Sequence, residues 1–181
     1  MASMNELAPG SYNIDPSHST VGFVARHLMI TKVRGRFTSF SGSITIADDR
    51  LSSSVNASVD LSSVTTGDEQ RDGHLKSGDF FDIEKSPTMT FESTGIKADG
   101  DDFKLAGDLT IRGVTKPVTF DIEFEGMQGD PWGGTRAGFS ASTDVNRKDW
   151  GLDFNIPLDG GGFVVGDKVK IELDIQAVKA S

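Results

Sequence analysis

The feature that most constrains this chain is a two-residue period that recurs along most of its length. Ser19, Val21, Phe23, Ala25 and His27 fall on one parity, and Thr20, Gly22, Val24 and Arg26 on the other. Val33, Gly35 and Phe37 alternate next. The phase then slips, and Phe40, Gly42, Ile44 and Ile46 continue on the opposite parity. Further sets are Val55 to Leu61, Met89 to Ser93, Phe103 to Ile111, Val118 to Phe124, Ala137 to Val145 and Val169 to Ala177. A period of two is that of an extended strand, whose successive side chains point to opposite faces. The slip near Thr38–Ser39 predicts a bulge that bends its strand. The other parity carries Asp121, Glu123, Glu125, Lys168, Lys170, Glu172 and Asp174, which suits a solvated outer surface.

About eight antiparallel strands result, each apolar on one face, and such a sheet must close on itself or pack on another. Regular alternation and short turns favour an all-β, eight-stranded up-and-down barrel. RGVTKP, Arg112 to Pro117, reads as the turn of a hairpin. A barrel of eight strands is either filled by its side chains or holds one small ligand. Ala25, Gly35, Gly42, Ala57, Gly107, Ala137 and Ala141 on the inward parity leave space, whereas Phe23 and Phe139 can fill it. The pattern leaves both outcomes open.

The alternation breaks in DEQRDGHLKSGDFFD, Asp68 to Asp82. Thr66 followed by Glu69 matches a capping box, and Asp68 adds negative charge to a first helical turn. A short helical insertion is expected near residues 66–82, with Phe80, Phe81 and Ile83 plugging or lining the barrel. Asp68, Asp72 and His74 superficially suit a metal, but a solvated helix face explains them more simply. The three histidines, His18, His27 and His74, form no metal-ligand spacing. No nucleophile elbow, phosphate loop or dinucleotide fingerprint is present, so neither an enzyme, a cofactor nor a metal is expected.

With 181 residues the chain has the length of one domain, taken as residues 9–181 with a flexible lead at 1–8, of which Met1–Ser3 read as an expression scar. A net charge of −9 disfavours nucleic acid and an anionic membrane surface as partners. Absence of cysteine excludes disulfides and thiolate chemistry. The start lacks the apolar core of a signal peptide, and no apolar run is long enough for a spanning helix, so a cytoplasmic location is expected.

Four segments together resemble the YceI-like family of polyisoprenoid-binding proteins: YNIDPSHSTVGFVARHLMITKVRGRF, RDGHLKSGDFFDIEKSPTMTFES, GDLTIRGVTKPVTFDI and DVNRKDWGL. They occur in order over nearly the whole chain. His18, Ser19, His27, Arg71, His74, Leu75, Phe80, Phe81, Arg147, Trp150 and Gly151 fall in matching positions. The resemblance implies a lipocalin-like barrel around a long apolar tunnel. Its ligand would be a long-chain isoprenoid, a quinone-like or prenyl-phosphate lipid, or a fatty amide. A carrier or sequestering role follows, and a homodimer is expected because family members often form one. The competing readings are a filled structural or stress-response module and an isoprenoid-modifying enzyme using His27.

The residues expected to line the tunnel are Val21, Phe23, Ala25, Phe37, Phe40, Ile44, Val55, Ala57, Phe80, Phe81, Met89, Phe91, Leu105, Leu109, Phe120, Phe139, Ala141, Ile171 and Leu173. His27, Arg71 and Lys76 are the candidates for a head group, since guanidinium and ammonium donors suit a phosphate.

Overall fold

The computed structural model describes residues 4–156, 158 and 164–180. Eleven β segments make one antiparallel sheet: β1 (Gly10–Ile14), β2 (Thr20–His27), β3 (Thr31–Phe37), β4 (Phe40–Ile46), β5 (Ser54–Asp60), β6 (Val64–Thr65), β7 (Thr88–Asp99), β8 (Asp102–Ile111), β9 (Val114–Gly129), β10 (Thr135–Asn146) and β11 (Val165–Lys179). One α-helix, α1 (Glu69–Lys76), lies between β6 and β7.

The hydrogen-bonded order is β1-β4-β5-β7-β8-β9-β10-β11, and β11 pairs back to β1, which closes an eight-stranded barrel. β2 pairs with the N-terminal part of β11 and then with β3, which pairs with β6. Three staves are therefore each broken in two: β1 with β2, β3 with β4, and β5 with β6. The break at Thr38–Ser39 is the phase slip read from the sequence. A slip of one residue swaps the faces, so the chain must bend there to keep Phe37 and Phe40 both directed inward. The break between β1 and β2 is a 3-10 turn, Pro16–His18, capped by the Asp15 carboxylate.

Two expectations need correction. The turn between β8 and β9 is only Arg112–Gly113, not the whole of Arg112 to Pro117. Both residues have positive φ, at 53° and 73°, the geometry of a two-residue hairpin whose twist matches its strands. The lead before the barrel is folded from Met4 onward: Met4–Glu6 is a 3-10 turn and Leu7 is fully buried. Leu7 packs in a cluster with Tyr12, Ile44, Ile46, Phe124, Ala137 and Ala177, so apolar burial holds the segment down. Met1–Ser3 lie outside the described residues, as do most of the late glycine-rich residues.

The helix also starts differently. Asp68, not Thr66, is its cap and accepts from the amides of Gln70 and Arg71. Thr66 instead donates its hydroxyl to Asp72 at 2.6 Å and accepts from Arg71 Nε at 2.7 Å. The segment from 61 to 87 covers one end of the barrel, hereafter the helix end. There Phe80, Phe81, Trp150 and Leu152 are buried against Phe37, Leu61, Val64 and Leu109. Trp150 donates Nε1–H to the Leu109 carbonyl at 2.9 Å.

Among the described residues Arg147 is the one buried charged side chain, at 5% exposure. Its guanidinium donates to the carbonyls of Gly166, Leu152, Phe154 and Val165. A buried charge is tolerable only when its donors are satisfied in this way. Burial still pushes its pKa below the usual arginine value. The result is a clasp between the strap after Trp150 and the start of β11.

Candidate functional site

Inward faces of the staves enclose a cavity of about 170 Å³. Its wall runs from Met4, Ile46, Ser53, Ile96 and Phe103, at the N-terminal end, to Val59, Met89 and Leu109, toward the helix end. On β8 the span from Phe103 to Leu109 is roughly 20 Å along the strand, or about 15 Å along a barrel axis after allowing for tilt. The space is thus narrow for its length. Ser41, Ser53 and Thr90 are its only polar lining residues, and no ionisable side chain lines it among the described residues.

Small inward residues act differently from the sequence expectation. A methyl group built on Gly35 would lie 2.3 Å from the ring of Phe23. One on Gly107 would lie 2.3 Å from the ring of Phe91 and 2.7 Å from the Glu92 carbonyl oxygen. One on Gly42 would meet Ile14 and the Asn56 carbonyl at 2.8 Å. These glycines are seats on which larger cross-strand neighbours rest; they do not add free volume. Ala57 and Ala141, by contrast, do line the cavity.

Most of the expected lining residues are on its wall: Val21, Phe40, Ile44, Val55, Ala57, Met89, Phe91, Leu105, Leu109, Phe120, Phe139, Ala141, Ile171 and Leu173. Five are elsewhere. Phe37, Phe80 and Phe81 belong to the packed helix-end core, with the Phe37 and Phe81 rings 5.9 Å apart. Phe23 covers Gly35 and packs against Phe37 at 5.6 Å. Ala25 sits lower on β2, opposite Val33 and Val169. Phe103, Ile122 and Ile175 line the space and carry the same parity signal as their neighbours, so the pattern could have found them. Met4 and Ile96 carry no such signal; the fold-back of the N-terminus and a register shift on β7 between Ser93 and Gly95 bring them in.

None of the three head-group candidates reaches the cavity. His27 is exposed at the tip of β2, at the helix end. Arg71 is turned back on its own segment, donating Nε to the Thr66 hydroxyl and Nη2 to the Thr66 carbonyl at 2.9 Å. Lys76 lies in the last turn of α1. The packed core of Phe80 and Phe81 separates this end from the space above. His74 meets Asp79 at 2.9 Å and stacks edge-on with Phe80 and Phe154, while the carboxylate of Asp68 is spent on its cap.

The remaining motif residues lock strand ends. Asp15 receives Arg136 Nη1 at 2.7 Å and His18 Nδ1 at 2.8 Å, and Arg136 also meets Asp130 at 3.0 Å. The Arg136 guanidinium, with Ser17 and His18, holds the Asp15 carboxyl far below the usual carboxylate range. Ser19 Oγ donates to the Gln176 carbonyl and accepts from the Gln176 amide. Tyr12, buried beside Leu7, donates its hydroxyl to the Ala8 carbonyl, and burial raises its pKa.

A closed antiparallel barrel around an apolar internal cavity defines a lipocalin-like architecture. Residues 12–177 match the YceI-like domain, and the chain belongs to that family. Protein YceI of Escherichia coli O17:K52:H18 (strain UMN026 / ExPEC) is 41% identical over 89% of this chain and 84% of its own length. Burkholderia cenocepacia BcnA superposes with a TM-score of 0.78 at 22% identity, covering 90% of this chain and 98% of that one. A polyisoprenoid binding domain from Saccharophagus degradans, implicated in plant cell wall breakdown, gives 0.72 at 16% identity over 96% and 100%.

Proposed function

We propose that this barrel binds a long, thin apolar lipid, an isoprenoid or similar chain, and acts as its carrier or sequestering protein. The observation that carries the reading is the wall of the cavity: hydrocarbon on every side, with three hydroxyl residues and no charge. Burial of apolar carbon contributes ~0.8 kcal/mol per CH₂, reduced by the cost of ordering the chain. A lining without an acid or base supports binding over turnover. His27, on which an isoprenoid-modifying enzyme would depend, is exposed away from the cavity. The polyisoprenoid binding domain from Saccharophagus degradans, which shares this fold, adds support by analogy.

The space of about 170 Å³ is below the ~300–1,000 Å³ usual for sites that hold drug-sized ligands. Uptake of a long chain therefore requires lining side chains to move. Met4 and Met89 are the flexible members of the wall and can repack at low cost. The same small volume, together with Phe91 lying over Gly107, favours the competing reading of a filled structural barrel. A chain-length series of polyprenols, scored by mass spectrometry for co-purification after mixing, separates the two. Binding that strengthens with length to a plateau supports the proposal. No uptake at any length supports the filled barrel.

A further inference from the structure

The net charge of −9 conceals a strong asymmetry. Between Asp15 and Asp48 there is no acidic residue, whereas Arg26, Lys32, Arg34 and Arg36 all lie in this stretch, on the β2–β3 hairpin. Arg26, Lys32 and Arg36 form no ion pair among the described residues; Arg34 meets Glu172 at 3.6 Å. On the flanking β11, Asp167 is engaged by Arg147 and Lys148, and Glu172 is shared with Lys170. The α1 segment follows β6, which runs antiparallel to β3 toward the same end of the barrel as the hairpin tip; of its acids, Asp68 is engaged by its cap, Asp72 by Thr66 and Asp79 by His74.

The tip itself is apolar. Leu28, Met29 and Ile30 are 39%, 57% and 75% exposed. The Leu28 amide donates to the Val164 carbonyl at 2.8 Å, and the Val164 amide donates to the Ile156 carbonyl at 3.1 Å. That ladder places Ile156, 52% exposed, within about 10 Å of the tip. Four of the six large exposed apolar side chains among the described residues thus gather in one patch.

Folding does not account for these residues. Leu28 and Met29 have φ of 55° and 61°, and the Ile30 amide closes the turn on the His27 carbonyl. Two successive positive φ values define a hairpin turn that favours Asn, Asp or Gly and strains bulky side chains. The shorter two-residue turn of the β8–β9 hairpin has the same pair of positive φ values at Arg112–Gly113, with glycine in the second position. Leu-Met at the β2–β3 tip is worse for the backbone and worse for solubility. A strained, exposed apolar tip rimmed by unpaired cations has the chemistry of a segment that enters a lipid interface.

We propose that the β2–β3 hairpin tip docks the protein onto an anionic lipid membrane, with Leu28, Met29 and Ile30 at the headgroup–acyl boundary and Arg26 and Lys32 against lipid phosphates. The acidic remainder of the molecule is repelled, so the protein stands on this tip alone. The inference does not depend on what the cavity holds, and vesicle binding is read without cargo.

The test is flotation of the full chain with phosphatidylcholine vesicles, with and without phosphatidylglycerol, at low and high salt. The protein is expected to float with the anionic vesicles at low salt. Met29→Ser/Ile30→Ser should lower partitioning about tenfold or more. Arg26→Gln/Lys32→Gln should lower it by about fivefold per charge removed, an effect that high salt erases. All four side chains are exposed, so unchanged melting curves verify the variants. Failure of the wild type to float, or equal flotation after Met29→Ser/Ile30→Ser, overturns the proposal. So does a wild-type dimer that ignores vesicles and dissociates on Met29→Ser/Ile30→Ser, which assigns the tip to self-association.

Discussion

Gly107→Ala is a sharp test of how the barrel is packed. Gly107 is buried in β8, opposite Val118 of β9 and Ser93 of β7. The added methyl would lie 2.3 and 2.6 Å from two ring atoms of Phe91 and 2.7 Å from the Glu92 carbonyl oxygen. Ordinary contacts at a Cβ begin near 3.4 Å. The Phe91 ring must therefore retreat by about 1 Å, and its free direction is into the cavity. It would also disturb its edge-on contact with Phe120, centroids 5.4 Å apart. The Glu92 carbonyl is backbone in a hydrogen-bonded strand and has less room to give. Overpacking of this kind costs about 1–3 kcal/mol, and the backbone clash puts this case in the upper half. Relief of glycine's unfolded-state entropy returns about 0.4–1 kcal/mol. A net loss of about 1–2 kcal/mol lowers Tm by about 2–8 °C in a chain of this size. Urea denaturation of Gly107→Ala, Phe91→Leu and the double variant measures it. The double variant should lose less than the sum of the two singles, because the smaller side chain vacates the seat. A Gly107→Ala protein as stable as the wild type would refute the reasoning and restore the simpler view that small inward residues mark open space.

Further expectations concern the locks and the cavity. Arg147→Lys leaves several buried carbonyls without donors and should cost about 2–4 kcal/mol in urea denaturation, with faster hydrogen exchange in the strap around Leu152–Phe154. Trp150→Phe removes the donor to the Leu109 carbonyl, and a loss of about 1–3 kcal/mol is expected. The Asp15 carboxyl has a folded pKa lowered mainly by Arg136, so its stabilisation is present above the ordinary carboxylate pKa of about 4 and is lost as pH falls. Asp15→Asn should therefore lower Tm at neutral pH, with the gap from the wild type narrowing progressively as pH falls below about 4. Ala57→Leu projects into the cavity and should reduce polyprenol uptake, at a stability cost of no more than the about 1–3 kcal/mol of added core methylenes.

The barrel was legible because alternation is a direct imprint of a sheet with one buried face. Even the bend at Thr38–Ser39 showed as a change of parity. β1 was harder to see: GSYNI has only Tyr12 and Ile14 to signal a face, and its role emerges from pairing with both β4 and β11. Cap and turn details failed where two side chains competed for one task, as Thr66 and Asp68 did. The cavity wall was largely readable for the same reason as the strands. The head-group set was not, because sequence adjacency cannot say which end of a barrel a loop covers. Arg71 looked free in the sequence, yet its guanidinium is occupied by Thr66. Glycine was the most misleading signal, since a missing side chain records either a void or a neighbour's ring.

On this reading the apolar cavity is a binding site. Native mass spectrometry of the full chain as purified, followed by organic extraction and identification of what is released, tests it most directly. A barrel that binds lipid shows a bound population shifted by the mass of one long-chain apolar lipid, diminished in Ala57→Leu. A protein of bare polypeptide mass that also takes up none of an added polyprenol series contradicts the account and leaves a filled barrel.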